Sequence, residues 1–103
     1  MNEQLYNEIS EWQRKTFGTA TPLSKVNHLQ QELKELKADL IYRKPERRLE
    51  FADCFFLLFG AAAEDGMSYQ DIINCISEKF EINKARKWGA PDENGVINHI
   101  RQL

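Results

Sequence analysis

An all-α bundle of four to five helices is the fold class this sequence predicts. Three observations carry it. Apolar residues recur at helical spacing in four segments, and no segment alternates as a strand would. Pro22, Pro45 and Pro91 fall between those segments and interrupt none of them. Capping residues stand where the segments begin and end. The 103 residues suit one domain over 1–103, with a helical core over about 2–89 and a tail over 90–103.

The first helix is expected from about Asn2 to Phe17. Leu5, Ile9, Trp12 and Thr16 share its apolar face, Gln13 lies beside them, and Gly18 stops it. The second is expected from Pro22 to Tyr42, with Thr21 as N-cap and Pro22 at its first position. Val26, Leu29, Leu33, Leu36 and Leu40 form one stripe on it; His28, Glu32, Glu35 and Asp39 form another. The third runs from near Pro45 to Glu64-Asp65-Gly66, where Gly66 takes a left-handed cap. It is apolar almost all round from Phe51 to Ala63, which predicts a central, buried helix. Gly60 and Ala61–Ala63 allow a neighbouring helix to approach closely. The fourth starts at Ser68, paired with Asp71, and runs to about Lys87 with Ile72, Ile76 and Phe80 toward the core. In the tail, Val96, Ile100 and Leu103 suggest a short fifth helix.

Composition bounds the function. Fourteen Lys+Arg against 16 Asp+Glu give a formal charge of −2, so no basic excess points to nucleic acid or an anionic membrane. The longest uncharged apolar run, Cys54–Ala63, is ten residues, against about 20 for a membrane span. The N-terminal stretch has no secretory pattern. Cys54 and Cys75 read as reduced, buried thiols, and the expected location is the cytoplasm. A chain this short buries a modest fraction of its surface, so self-association is expected.

Two carboxylate pairs carry the chemistry. Glu32 and Glu35 stand three apart on the second helix, and Glu50 and Asp53 three apart on the third. That spacing puts both members of a pair on one helix face. Two such helices side by side would aim four carboxylates at one spot, which needs cationic compensation; Mg²⁺ suits an all-oxygen set best. Taken alone, Glu32 and Glu35 would be solvent-face residues near Lys34 and Lys37. Asp53 sits among Phe51, Cys54, Phe55 and Phe56, where an unpaired charge would be costly to bury. A salt bridge from Asp53 to Lys25, Arg47 or Arg48 is the plainer alternative.

The inward stripe of the fourth helix becomes Lys79, Asn83 and Arg86, followed by Lys87 and Trp88. These cations either complement the helix dipole or bind phosphate. Trp88 either covers a nucleobase or closes the bundle. Gln13 has an amide that can read a base edge, and His28 can bind phosphate or sugar. No Gly-rich phosphate loop is present, so metal and side chains would have to carry any phosphate chemistry.

The ordered set resembles the MazG-like all-α nucleoside triphosphate pyrophosphohydrolases. Glu32-x-x-Glu35, fourteen intervening residues, then Glu50-x-x-Asp53 is similar to that family's signature. His28–Leu36, Leu49–Asp53 and the late Lys79, Asn83, Arg86 and Trp88 resemble its motifs. Trp12-Gln13 with Phe17-Gly18 looks more like the short dATP/dGTP pyrophosphohydrolase branch. The likeness covers Trp12 to Gly89. It implies a MazG-like bundle that cuts a nucleoside triphosphate, with purine preference (dGTP or dATP), to monophosphate and pyrophosphate with Mg²⁺, for which Mn²⁺ can substitute. It also implies a homodimer or homotetramer. Carried over, Glu32, Glu35, Glu50 and Asp53 hold metal, with Glu35 and Glu50 as candidate catalytic carboxylates. Lys79, Asn83, Arg86 and Lys87 hold phosphates, and Trp12, Gln13, His28 and Trp88 are candidate base or sugar contacts. Two alternatives stand beside this reading: a phosphoribosyl-ATP pyrophosphohydrolase-like enzyme, and a non-catalytic helical interaction module.

Overall fold

The computed structural model describes residues 1–101 and contains four α-helices there: α1 (Glu3–Thr16), α2 (Pro22–Ile41), α3 (Arg47–Glu64) and α4 (Tyr69–Ala85). None of them is long and apolar enough to cross a membrane. The described chain divides into two compact units, Met1–Ile72 and Ile73 onward, with the boundary inside α4.

The helix ends follow the sequence. Asn2 caps α1 by accepting from the Leu5 N–H at 2.8 Å. Thr21 and Ser24 form a reciprocal capping box at the start of α2, with Pro22 in the first turn. Ser68 and Asp71 do the same ahead of α4, each side chain accepting from the other's backbone N–H at 3.1 and 2.9 Å. At the end of α3, Gly66 has φ +94° and the Met67 N–H donates to the Ala62 carbonyl at 3.0 Å. That is a Schellman ending with glycine at its left-handed position. The end of α2 has the same bonds, Lys44 N–H to Asp39 and Arg43 N–H to Leu40, but Arg43 holds the left-handed position at φ 53°.

In the first unit α2 and α3 pack along each other as a helical hairpin, and α1 crosses α3. A small core of Tyr6, Ala63 and Ile72 is covered by Phe59, Ala62, Met67 and Tyr69. Polar pins fix it: the Tyr6 hydroxyl donates to the Met67 carbonyl and the Tyr69 hydroxyl to the Met1 carbonyl, both at 3.0 Å.

Several expectations are corrected here. The buried face of α1 is Tyr6, Ser10 and Gln13, one residue round from the predicted stripe; Leu5, Trp12 and Thr16 are exposed and Ile9 half-buried. The reason is that Tyr6 and Gln13 find hydrogen-bond partners inside, at the Met67 and Phe56 carbonyls, while Trp12 packs edge-on against Phe17 at the surface. Helix α3 is not buried all round. Gly60, Ala61 and Ala63 are buried, but Phe51, Phe55, Phe56 and Leu58 are exposed. On α4 only Ile72 of the expected stripe is buried; Ile76 and Phe80 are exposed. Cys75 is exposed rather than buried, and Cys54 half-buried.

The second unit corrects the fifth helix. Beyond α4 the described tail folds back as a hairpin. Gly89 N–H donates to the Asn98 carbonyl at 2.9 Å and Ile100 N–H to the Lys87 carbonyl at 2.7 Å, flanking a Trp88–His99 antiparallel bridge. Pro91 and the Asp92 turn defeat a helix there. The Asp92 carboxylate accepts from the N–H groups of Asn94 and Val96 at 2.8 and 2.9 Å, and Gly95 closes the turn at φ +76°. Leu103, assigned to that fifth helix, lies outside the described residues.

Candidate functional site

The carboxylates come from the two helices of the hairpin. Glu32 and Glu35 project from α2 and Glu50 from the first turn of α3. One carboxylate oxygen from each lies within 4.8 Å of the others. No cation of the described residues pairs with Glu35 or Glu50. Glu32 is 3.3 Å from the His28 Nε2 one turn earlier.

Glu50 is the most constrained. Its Oε2 is shielded from solvent and has no hydrogen-bond partner. Burial, together with the adjacent Glu32 and the charges of Glu35 and Asp53, pushes its carboxyl above the usual glutamate range. The charge of Glu32 does the same to Glu35, with burial, Asp39 and Asp53 adding. A buried, partnerless carboxylate oxygen beside two more carboxylates is what a divalent cation with oxygen preference would complete. The donor set fits such a metal.

Asp53 differs from its sequence-based reading. It is exposed, because the phenylalanines around it are exposed too, so burial does not force a partner on it. It makes no ion pair with Lys25, Arg47 or Arg48. It lies outside the close trio, yet its charge raises both Glu35 and Glu50.

Beside the cluster is a cavity of about 270 Å³ lined by Trp12, Gln13, Phe17, His28, Glu32, Asp53, Phe56 and Leu57. Aromatic walls and two carboxylates in one cavity suit a planar base attached to a metal-bound polyphosphate. Gln13 is largely committed. Its amide donates to the Phe56 carbonyl at 3.0 Å, and its Oε1 occupies the space that a Cβ on Gly60 would take. Gly60 is therefore the residue that lets α1 approach α3. Lys25, 4% exposed, places its ammonium 5.5 Å from the centre of the Phe17 ring. Phe56, Leu57 and Lys25 were not singled out as site residues; their i+3, i+4 and i−3 positions relative to Asp53 and His28 were the available signal.

The late basic residues lie in the second unit. Lys79 and Lys87 are exposed, Asn83 and Arg86 half-buried. Arg86 donates to the Asn83 Oδ1 at 3.3 Å, and the Trp88 indole donates to the Asn83 carbonyl at 3.0 Å. Trp88 also meets the His99 ring edge-on, with centroids 6.1 Å apart. So Trp88 clasps the tail to the end of α4.

Residues 5–103 match the family model for dATP/dGTP pyrophosphohydrolase. The chain belongs to that family. A solved relative of this type, the MazG-like pyrophosphohydrolase of cyanophage S-2L bound to dGDP and three catalytic Mn²⁺ ions per active site, is 31% identical. It superposes with a TM-score of 0.75 over 95% of both chains, so the fold is MazG-like. The Eaa protein of Salmonella phage P22 is 38% identical over 100 residues, which are 97% of this chain and 30% of that protein. The chain thus spans about a third of the length of that curated relative.

Proposed function

We propose that this chain hydrolyses a purine deoxynucleoside triphosphate, dGTP or dATP, to the monophosphate and pyrophosphate. The observation that carries the reading is the trio of Glu32, Glu35 and Glu50 with its partnerless Glu50 oxygen, in a chain of this family. Mg²⁺ is the proposed metal and Mn²⁺ a substitute, held by Glu32, Glu35, Glu50 and Asp53. When bound, the metal neutralises charge on the phosphoryl group and makes water more acidic. Water adds its oxygen to phosphorus, the anhydride bond breaks, and pyrophosphate departs with the bonding electron pair. Glu35 or Glu50 takes the proton released from the water. Lys79, Asn83, Arg86 and Lys87 hold phosphate oxygens. Trp12 and Phe17 flank the base, and His28 orients Glu32 while reaching the sugar.

Self-association into a homodimer or homotetramer belongs to the same proposal. Leu5, Trp12, Phe55, Phe56 and Leu58 expose apolar surface on α1 and α3 that a second copy could cover. Sedimentation should give a mass of two or four chains; a monomer at micromolar concentration contradicts this part.

The test of the activity is a product-resolved assay over common NTPs and dNTPs with Mg²⁺. Monophosphate plus pyrophosphate from dGTP or dATP is the expected result. Turnover of phosphoribosyl-ATP alone, or of nothing with Mg²⁺ or Mn²⁺, overturns it.

A further inference from the structure

The tail carries a histidine that the motifs do not include. His99 lies opposite Trp88 in the bridge, enclosed by the bonds Ile100 N–H to Lys87 and Gly89 N–H to Asn98. Residues paired in this way lie close and project their side chains to the same side of the two strands. The Trp88–His99 ring contact shows the result. Here Ala85, Arg86, Lys87, His99 and Ile100 line a cavity of about 310 Å³. Three of those five side chains are cationic or can become so. No carboxylate of the described residues lies within ion-pair distance of Lys79, Arg86 or Lys87.

We propose that His99 is a polyphosphate-binding residue, delivered by the tail hairpin to the pocket of Arg86 and Lys87. This deepens the function proposed above by adding a phosphate contact that the helix alone cannot supply. Helix-dipole capping explains Arg86 and Lys87 but not a histidine ten or more residues later in the chain. The charges facing His99 are all positive: Arg86, Arg101 and Lys79, with Lys87 on the same cavity wall. Burial first, and then those cations, hold its imidazole below the usual histidine value. A bound polyphosphate reverses the sign of that field. His99 should then take up a proton as the anion binds, and binding should strengthen as pH falls from about 7.5 to 6.

The experiment uses the full chain without metal and inorganic pyrophosphate as probe. NMR follows the two histidine rings, His99 being the one lost in His99→Gln. The expected result is that pyrophosphate shifts the His99 resonances and raises its pKa. His99→Gln should weaken pyrophosphate about tenfold at pH 6 and lose the strengthening of binding toward low pH, with helicity unchanged. An unmoved His99 in the wild type at saturating pyrophosphate overturns the proposal, whatever the variant does. So does equal affinity in His99→Gln, or no binding at all. These outcomes are separate from the product assay. Turnover with a silent His99 removes this residue and leaves the function; a responsive His99 without turnover does the reverse.

Discussion

The carboxylate cluster on the α2–α3 hairpin and the cationic pocket at the end of α4 are built on opposite plans. The first gathers like negative charges on two regular helices, each side chain fixed by its place in a helical turn. The second gathers positive charges at a helix end and completes the set with a residue from a folded-back tail. One depends on rigid repeats, the other on a turn. Among the described residues no ion pair neutralises Glu35 or Glu50 in the first, or Arg86 or Lys87 in the second, whereas Glu32 has His28 at 3.3 Å.

The largest expected effect breaks the first plan alone. Glu50→Gln should lower turnover by roughly a hundredfold or more. Without metal the same variant should melt higher than wild type, because a crowded, poorly solvated carboxylate has been removed. Loss of both activity and metal-free stability would mean that Glu50 is a structural residue.

Arg86→Ala breaks the second plan. It removes a charged fork from the anion pocket, so KM for the triphosphate should rise about tenfold or more. Mn²⁺ binding in the absence of nucleotide should not change. Unaltered kinetics would reduce Arg86 to its bond with Asn83.

The pH dependence sharpens the contrast. Glu35 and Glu50 have raised pKa values in the folded chain, so folding favours their protonated forms. Their stabilising contribution is complete below the ordinary glutamate value of 4.5 and is lost as pH rises through the raised values. Metal-free wild type should therefore lose stability over that rise relative to the double variant Glu35→Gln/Glu50→Gln. Mg²⁺ should abolish the difference. A flat difference between the two proteins would show that the carboxylates do not feel one another.

How much of this was legible depended on whether a neighbour is local. Four helices, the caps at Thr21, Ser68 and Gly66, and the pairs Glu32/Glu35 and Glu50/Asp53 are set within one helical turn or at a chain reversal, and the sequence displays them. The weights within the site were not legible. Asp53 reads as buried because its sequence neighbours are apolar, yet those neighbours face outward, and Glu50 holds the sheltered oxygen instead. Apolarity records a preference for burial, not the surface that provides it. The face of α1 slipped by one residue for a related reason: Tyr6 and Gln13 are chosen by partners at Met67 and Phe56, far along the chain. His99 was invisible because its place follows from a bridge to Trp88 that the Asp92 turn sets up.

Two smaller effects test the supports of each region. Asp92→Ala removes the acceptor of two backbone N–H groups and should cost about 1–2 kcal/mol in the tail hairpin. Pyrophosphate affinity should fall while the metal-induced rise in Tm stays; hydrogen exchange at Gly89 and Ile100 reports the loosening. Arg43→Gly relieves a left-handed residue at the hairpin turn and should raise stability by about 1 kcal/mol. A drop in Tm would mean that the Arg43 side chain stabilises the turn by more than its backbone costs.

The most direct measurement is a calorimetric titration of Mn²⁺ into wild type and Glu50→Gln, both without nucleotide. A carboxylate metal centre predicts saturable binding by the wild type and weak or no binding by the variant. Equal affinity in the two proteins would contradict the assignment of the α2–α3 carboxylates as the metal site.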